Sequence, residues 1–399
     1  MDQPIDIRRR HIMLTGVAAA GVGTFSPAAL AQQAAKSKPL PKYAAWKDIE
    51  DVIVHSSNTI ETKRSAFGTS VIVPSDILFV RNNLTPPDEN IVADPNAWEI
   101  TVEGVKNPGK MTVADLKRLG IETVAAVLQC SGNGRGYFGH KASGTQWQVG
   151  AAGCVIWSGV PIAAVVDARG GVASGMGYMT TKGGEKLPAG VDPKTLVVER
   201  SVPIQSVKTA ILAWELNGEP IPLAHGGPLR LIVPGYYGVN NVKYVDRLAF
   251  TDKETDANIQ RTSYRVRDIG VKGAPNQPSM WEMNVKSWVN HPAGEGPVRA
   301  GTVQLHGVAF AGVNPVKRVE VSIDGGKTWK DAKFIGPDLG AYAWRVFVLP
   351  VQFKAGGNYT LVSRATDAAG NTQPEQRVEN ERGYAHNGWR DPGVKVIVT

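Results

Sequence analysis

Cys130 stands where an apolar run gives way to a glycine-rich loop. Residues 124–128 are apolar, Gln129 and Cys130 follow, and glycines come at positions 132, 134 and 136. Glycines let backbone N–H groups approach a ligand closely. The pattern indicates that this loop lies against a ligand. A disulfide with the second cysteine, Cys154, is an alternative interpretation for an exported protein.

Basic residues occur near the ends of other predicted strands. Arg81 follows the apolar stretch "DILFV", and Arg135 lies in the same loop as the cysteine. His225, Arg230 and Lys243 flank a second glycine-rich loop in "HGGPLRLIVPGYYGVNNVK". Guanidinium groups keep their charge and offer paired donors to oxyanions. We expect these loops to converge on one anion and one metal.

Several other chemistries are disfavoured by the pattern. Residues 134–139 match GxGxxG, but no helix-forming sequence follows and the next acidic residue is Asp167, so dinucleotide binding is not indicated. The seven histidines are scattered singly along the sequence, so a zinc site is not indicated. No CxxCH motif is present, so a covalently attached c-type haem is not indicated either. Lysines and arginines number 44 against 36 acids and are interleaved with them, so no nucleic-acid partner is predicted.

Up to about residue 275, the sequence predicts a mixture of strands and short helices, which position these residues. Residues 123–130 and 98–105 predict strands, and residues 112–120 predict a short helix with Thr112 as its N-cap. Residues 210–222 predict a helical or turn segment, and residues 32–75 an extended surface arm.

Beyond residue 275 the texture changes to short alternating strands with Asp-Gly and Gly-Gly turns, which is typical of an antiparallel β-sandwich. The predicted fold class is therefore α+β. A mixed α/β domain over residues 32–275 precedes an Ig-like antiparallel β-sandwich over residues 276–399.

The first 31 residues read as an export signal. A basic stretch containing Arg9 and Arg10 precedes a small-residue apolar run that ends in Ala29-Leu30-Ala31. Paired arginines at this place indicate the twin-arginine route, which exports folded proteins that carry a cofactor. We therefore expect a periplasmic protein with no membrane span after cleavage of residues 1–31.

The chain resembles the sulfite oxidase family of mononuclear molybdenum enzymes over nearly all of its predicted mature part. The resemblance rests on the ordered motifs "FVRNN", "LQCSGNGR", "QWQVGAAGCVIWSGVPI", "AWELNGEPIPLAHGGPLRLIVPGYYGVNNVK", "SYR", "VEVSIDGGKTW" and "NERG". It implies a molybdenum–molybdopterin cofactor, with the Cys130 thiolate as the protein's ligand to the metal. The family pattern carries cofactor binding to Phe79, Val80, Arg81, Asn82, Asn83, Cys130, His225, Arg230, Asn241, Val242 and Lys243.

The resemblance also implies a substrate site. Arg81, Arg135 and Arg382 match arginines that bind the substrate anion, and Trp147 and Tyr264 match aromatic residues that shape its pocket. One departure is Asn83, where many members have histidine. This sequence does not contain the haem-ligand pattern of the haem domain that the vertebrate members carry, so no haem is expected in this chain.

The implied activity is oxidation of sulfite to sulfate, with two electrons passed singly to an external c-type cytochrome by a homodimer. Three alternatives stay open. The chain could be the sulfane dehydrogenase subunit of the Sox thiosulfate-oxidising complex, which acts on carrier-bound sulfur, or a methionine sulfoxide reductase-like subunit. It could also be a cofactor-free Ig-like binding protein.

Overall fold

The computed structural model describes residues 38–399, and its first part consists of three sheets with short helices between the strands. The predicted signal of residues 1–31 lies outside the described residues. The strands are, in chain order, β1 (Val52–Ser56), β2 (Thr59–Thr62), β3 (Val80–Arg81), β4 (Glu99–Glu103), β5 (Gly109–Thr112), β6 (Glu122–Gln129), β7 (Ala152–Pro161), β8 (Tyr178–Gly183), β9 (Glu199–Pro203), β10 (Ile211–Leu216), β11 (Glu219–Pro220), β12 (Arg230–Ile232) and β13 (Val245–Thr251). The helices are α1 (Val113–Lys117), α2 (Ile162–Ala168) and α3 (Pro193–Leu196).

The sheet that carries Cys130 has the order β11-β10-β7-β6, with β12 also paired to β10. β6 and β7 are antiparallel and in register over eight residue pairs, from Glu122↔Gly159 to Gln129↔Ala152. The last four residues of β6 are buried, as the apolar run predicts. The sheet therefore ends in the interior, and it delivers Cys130 to a buried loop.

A second sheet has the order β5-β4-β13-β8-β9. The predicted helix start at Thr112 is confirmed, because its side chain and that of Asp115 each accept a hydrogen bond from the other's backbone N–H. Such a reciprocal cap satisfies two N–H groups that a helix start leaves free.

Two predictions about elements are wrong. Residues 38–75 are not a surface arm, because β1 and β2 pair as a hairpin and β2 also pairs with β3. All four residues of β2 are buried. Residues 211–216 are the strand β10 and not a helix. β10 lies between β7 and β12, and these sheet contacts outweigh the helix propensity of its alanine, leucines and glutamate.

The C-terminal part consists of two antiparallel sheets that face each other. Their strands are β14 (Lys286–His291), β15 (Gly301–Phe310), β16 (Val316–Ser322), β17 (Lys330–Asp331), β18 (Lys333–Ile335), β19 (Arg345–Phe353), β20 (Asn358–Asp367) and β21 (Val394–Ile397). The sheet orders are β14-β15-β19-β18 and β17-β16-β20-β21. Side chains from both sheets, such as Leu305, Phe347 and Leu361, form a common apolar core. The predicted fold class, mixed α/β followed by an Ig-like β-sandwich, is confirmed.

No helix within residues 38–399 has the length and apolar character needed to cross a bilayer.

Candidate active site

The loop after β6 holds Cys130 between two cavities. The Cys130 N–H donates to the Ala151 carbonyl at 2.9 Å, and its own carbonyl accepts from the Asn133 N–H at 2.9 Å. The thiol is free and lines both cavities. Cys154, also free, is fully buried on β7 opposite Val127, where burial raises the pKa of its thiol to about 12. The disulfide interpretation is therefore wrong, and only Cys130 is placed to bind a ligand.

The C-terminal part of the chain fixes this loop from behind. The Lys286 ammonium donates to the Asn133 carbonyl at 2.9 Å, and the Ala385 N–H donates to the Ser131 carbonyl at 3.0 Å. The His386 ring lies against Gly134, where a Cβ atom would come within 2.5 Å of the ring. Residues far apart in sequence thus set the position of the thiol.

We expect Gly134→Ala to destabilise the protein. Gly134 has a φ of 100°, and an alanine there would be strained and would also displace His386. The two effects together should cost about 3 kcal/mol. Gly139→Ala is a matched control, because a Cβ there meets nothing within 4 Å. Urea unfolding should show the difference, and equal midpoints for the two variants would contradict it.

The inner cavity, on the β12 side of Cys130, is lined by most of the residues predicted to bind the cofactor. The residues in its wall are Phe79, Arg81, Asn82, Asn83, Leu128, Cys130, Ser131, Glu185, Val198, His225, Arg230, Gly238, Val239, Asn241, Val242, Lys243 and Tyr264. Val80 is fully buried and is absent from this wall. The predicted binding loops therefore do converge, as the sequence indicated.

Four basic side chains cluster at this cavity, and all of them are buried: Lys47, His225, Arg230 and Lys243. The Lys243 ammonium donates to Asn82 Oδ1 and to the Ala224 carbonyl, both at 2.6 Å. Arg230 Nη1 donates to the His225 carbonyl at 2.7 Å. Lys47 Nζ lies 3.1 Å from His225 Nε2. We call these four residues the cation cluster.

The cation cluster has little negative charge beside it to balance its buried basic groups. Burial, and then repulsion by neighbouring cations, holds the pKa of Lys243 and of His225 well below their usual values. Burial lowers the pKa of Arg230 to about 9 and that of Lys47 to about 7. Glu185 is the acid that lines this cavity, and burial raises its pKa to about 7. Buried basic groups with so little compensating negative charge favour binding of an anion such as a phosphate.

The outer cavity, about 380 Å³ in volume, lies on the other side of Cys130. Arg81, Arg135 and Arg382 all line it, together with Tyr264. Arg135 is buried, and its Nε and Nη1 atoms donate to the carbonyls of Arg382 and Thr145 at 2.8 and 3.0 Å. The Nε of Arg382 is buried and has no hydrogen-bond partner among residues 38–399. The predicted arginine triad is thus brought together around a space that suits a small anion.

Tyr264 and Asn83 lie side by side in both cavities. The Tyr264 hydroxyl is 3.5 Å from Asn83 Oδ1, to which it donates. Tyr264 is therefore placed where the two cavities meet, as predicted.

Trp147 does not reach either cavity. Its ring is fully buried, 5.1 Å from His55 and 6.5 Å from Phe79, measured between ring centroids. The structure therefore corrects the prediction that Trp147 shapes the pocket directly, because Phe79 lies in the wall and Trp147 packs against it.

Three residues at the site were missed by sequence reasoning: Lys47, Glu185 and Tyr384. Lys47 lies 178 residues before His225, in a segment interpreted as surface. Glu185 follows two glycines, which is a weak indication of a loop at a ligand. Tyr384 lies two residues after Arg382, and this spacing could have drawn attention to it.

Residues of this kind fit a molybdopterin: a free thiol for the metal, and beside it a buried cation cluster for the phosphate. Two family models match the chain, "Oxidoreductase molybdopterin binding domain" over residues 86–259 and "Mo-co oxidoreductase dimerisation domain" over residues 277–397. Together they span most of the described residues, and they confirm the predicted cofactor.

Similar proteins agree with these family models. Mitochondrial sulfite oxidase of Mus musculus is 29% identical over 346 residues, which are 82% of this chain and 62% of that protein. The chain thus spans about three fifths of the length of that relative. Sulfite oxidase of Arabidopsis thaliana is 27% identical, over 82% of this chain and 89% of that protein.

A solved structure is similar over a comparable range. The sulfane dehydrogenase SoxCD from Paracoccus pantotrophus matches with a TM-score of 0.73 and 27% identity, over 87% of this chain and 88% of that one. Sequence motifs, site geometry and these similarities lead to the same assignment. The chain belongs to the sulfite oxidase family of molybdopterin oxidoreductases.

Proposed function

We propose that this protein is a periplasmic molybdenum-dependent sulfite dehydrogenase. It oxidises sulfite to sulfate and passes two electrons, one at a time, to an external c-type cytochrome. The observation that carries the proposal is the place of Cys130, between the cation cluster and a cavity lined by three arginines. The overall change is SO₃²⁻ + H₂O → SO₄²⁻ + 2 H⁺ + 2 e⁻.

The cofactor, when bound, supplies oxygen-atom transfer and two-electron redox chemistry at its molybdenum. Cys130 would hold the metal, and the cation cluster would hold the phosphate of the pterin. These residues form a preorganised binding site, because their backbone and side-chain hydrogen bonds already fix their positions.

The outer cavity binds and orients the substrate in this proposal. Arg81, Arg135 and Arg382 attract a doubly charged oxyanion and stabilise charge that develops on its oxygens. The Tyr264 side chain shapes the wall of this cavity. Asn83 accepts a hydrogen bond from the Tyr264 hydroxyl, and its amide does not titrate. It therefore does not release or take up a proton, as a histidine at this position could.

Location and assembly complete the proposal. The twin arginines and the small-residue cleavage signature of residues 1–31 support export to the periplasm. The match to a dimerisation domain over residues 277–397 supports a homodimer.

A second candidate is the sulfane dehydrogenase subunit of a Sox complex. It is favoured by the structural similarity to sulfane dehydrogenase, at nearly full coverage of both chains. A sulfoxide reductase is less well supported, because three arginines favour an anion over a neutral sulfoxide. A cofactor-free binding protein is disfavoured by the cation cluster.

We expect molybdenum-loaded protein to reduce cytochrome c when free sulfite is added. The measurement is the initial rate of cytochrome c reduction, with molybdenum content determined on the same sample. Fully loaded protein that is inactive with sulfite would contradict the dehydrogenase proposal. Activity of that sample only with a protein-bound sulfane sulfur would favour the second candidate.

A further inference from the structure

A second tyrosine, Tyr384, stacks on Tyr264 in the wall of the outer cavity. The two ring centroids are 5.1 Å apart, and the ring planes are inclined by 7°. The backbone of Tyr384 is fixed by Asn380, whose amide accepts from its N–H and donates to its carbonyl, both at 2.9 Å. The stacked pair therefore joins the C-terminal part of the chain to the cofactor-binding part.

Guanidinium groups lie over the outer faces of this tyrosine pair. The Cζ atom of Arg200 is 5.8 Å from the Tyr264 ring centroid. Those of Arg135 and Arg382 are 5.3 and 5.9 Å from the Tyr384 ring centroid. Cations over aromatic faces attract the rings, so this stacking holds both rings in place.

Arg200 is an unusual member of this arrangement, because it is buried and its hydrogen bonds go to neutral oxygens. It donates to Asn240 Oδ1 at 3.0 Å, to the Ile259 carbonyl at 3.0 Å and to Ser279 Oγ at 3.1 Å. A buried cation is costly unless it is compensated. The Tyr264 ring supplies part of that compensation, so the stack is anchored at a fixed point.

The hydroxyl of Tyr384 is suited to donate to an anion. Tyr384 lines the outer cavity with Cys130 and Arg382, and little of its side chain is exposed. Burial, reinforced by Tyr264, raises its pKa to about 12, although Arg382 and Arg135 act in the opposite direction. The hydroxyl therefore keeps its proton at neutral pH and adds no negative charge to the cavity.

A bound oxyanion offers more acceptor positions than the free N–H groups of Arg135 can fill. Two of the five N–H groups of Arg135 donate to backbone carbonyls, which leaves one on Nη1 and two on Nη2. A sulfur oxyanion has three or four oxygens, and each oxygen can accept more than one hydrogen bond. Additional donors in the wall are therefore useful, and Tyr384 stands beside Arg135 and Arg382.

We propose that Tyr384 is a specificity-determining residue of the outer cavity, whose hydroxyl donates to an oxygen of the bound sulfur oxyanion. The inference rests on the proposed function and refines its substrate site. It assigns to the C-terminal part of the chain two substrate contacts, Arg382 and Tyr384.

Tyr384→Phe in the holoenzyme tests this inference, because it keeps the ring stack and removes only the hydroxyl. We expect the Kd for sulfate, measured by calorimetry without turnover, and the KM for sulfite to rise about tenfold, as for loss of one hydrogen bond to a charged group. We expect kcat to change by less than about threefold, because the hydrogen bond is made equally in the ground state and in the transition state. Molybdenum content should match the wild type. Tyr359→Phe, on β20 of the sandwich, is the control and should change neither constant.

The outcomes separate this inference from the proposed function. Wild-type constants in Tyr384→Phe, with losses only in Tyr384→Ala, would show that the side chain merely packs, and would overturn the inference. Wild-type protein that neither binds sulfate nor oxidises sulfite would overturn the proposed function, and the inference with it.

Discussion

Replacing Cys130 with serine is expected to lower sulfite-dependent turnover by about 10³-fold or more, the size typical of losing an essential group. A serine hydroxyl has nearly the shape of the thiol, but it is a harder ligand and stays protonated at neutral pH. Cys130 lines both cavities, whereas Cys154 lines neither, so the other cysteine is not placed to substitute for it. The measurement is the rate of cytochrome c reduction per molybdenum.

Cys154→Ser is the matched control for this prediction. Cys154 is fully buried on β7 and lines neither cavity. Its replacement buries a hydroxyl in an apolar setting, which should cost about 1–3 kcal/mol of unfolding free energy. Turnover per molybdenum should stay close to that of the wild type. Equal loss of turnover in both variants would contradict the assignment of Cys130 as the metal ligand.

Lys243→Met is expected to give a folded protein that retains little cofactor. Loss of the Lys243 ammonium opposite a bound phosphate should weaken the binding free energy of the pterin by about 2–5 kcal/mol. The effect on the cofactor-free protein is smaller, because two terms oppose each other. The variant loses hydrogen bonds to Asn82 and Ala224, but it also removes the cost of burying an amine beside Arg230, Arg81 and Lys47. We expect the unfolding free energy of the cofactor-free protein to change by less than about 2 kcal/mol.

The readouts for Lys243→Met are pterin and molybdenum content after purification and urea unfolding of the cofactor-free protein. Lys182→Met is the matched control, because Lys182 pairs with Asp246 at 2.6 Å and does not line the inner cavity. It should retain the wild-type cofactor content. Full pterin content in Lys243→Met would show that the cation cluster does not bind the phosphate.

Local sequence pattern was sufficient for the strand that delivers Cys130. The apolar run of β6 ends in a loop with closely spaced glycines, and both features are local. The three arginines were identified from motifs in the resemblance, and the structure places all three in one wall. These parts of the site follow from short stretches of chain.

Residues whose partners lie far along the chain were not predictable in this way. Residues 38–75 look like surface because they are polar, yet Glu61 is buried and accepts from the backbone N–H groups of Gln148 and Gly150 at 2.8 and 3.0 Å. Lys47 contacts His225 across a separation of 178 residues, so no local pattern connects the two. Trp147 was misplaced by one layer, because a motif gives the order of residues but not the depth at which a side chain packs.

The supports of the Cys130 loop have a consequence for the order of events during biosynthesis. Arg135 donates to the carbonyl of Arg382, which is made 247 residues later, and the loop is further held by Ala385, His386 and Lys286. The thiol therefore takes its fixed position only after residues 382–386 have been made, and we expect cofactor insertion to follow folding of the C-terminal part.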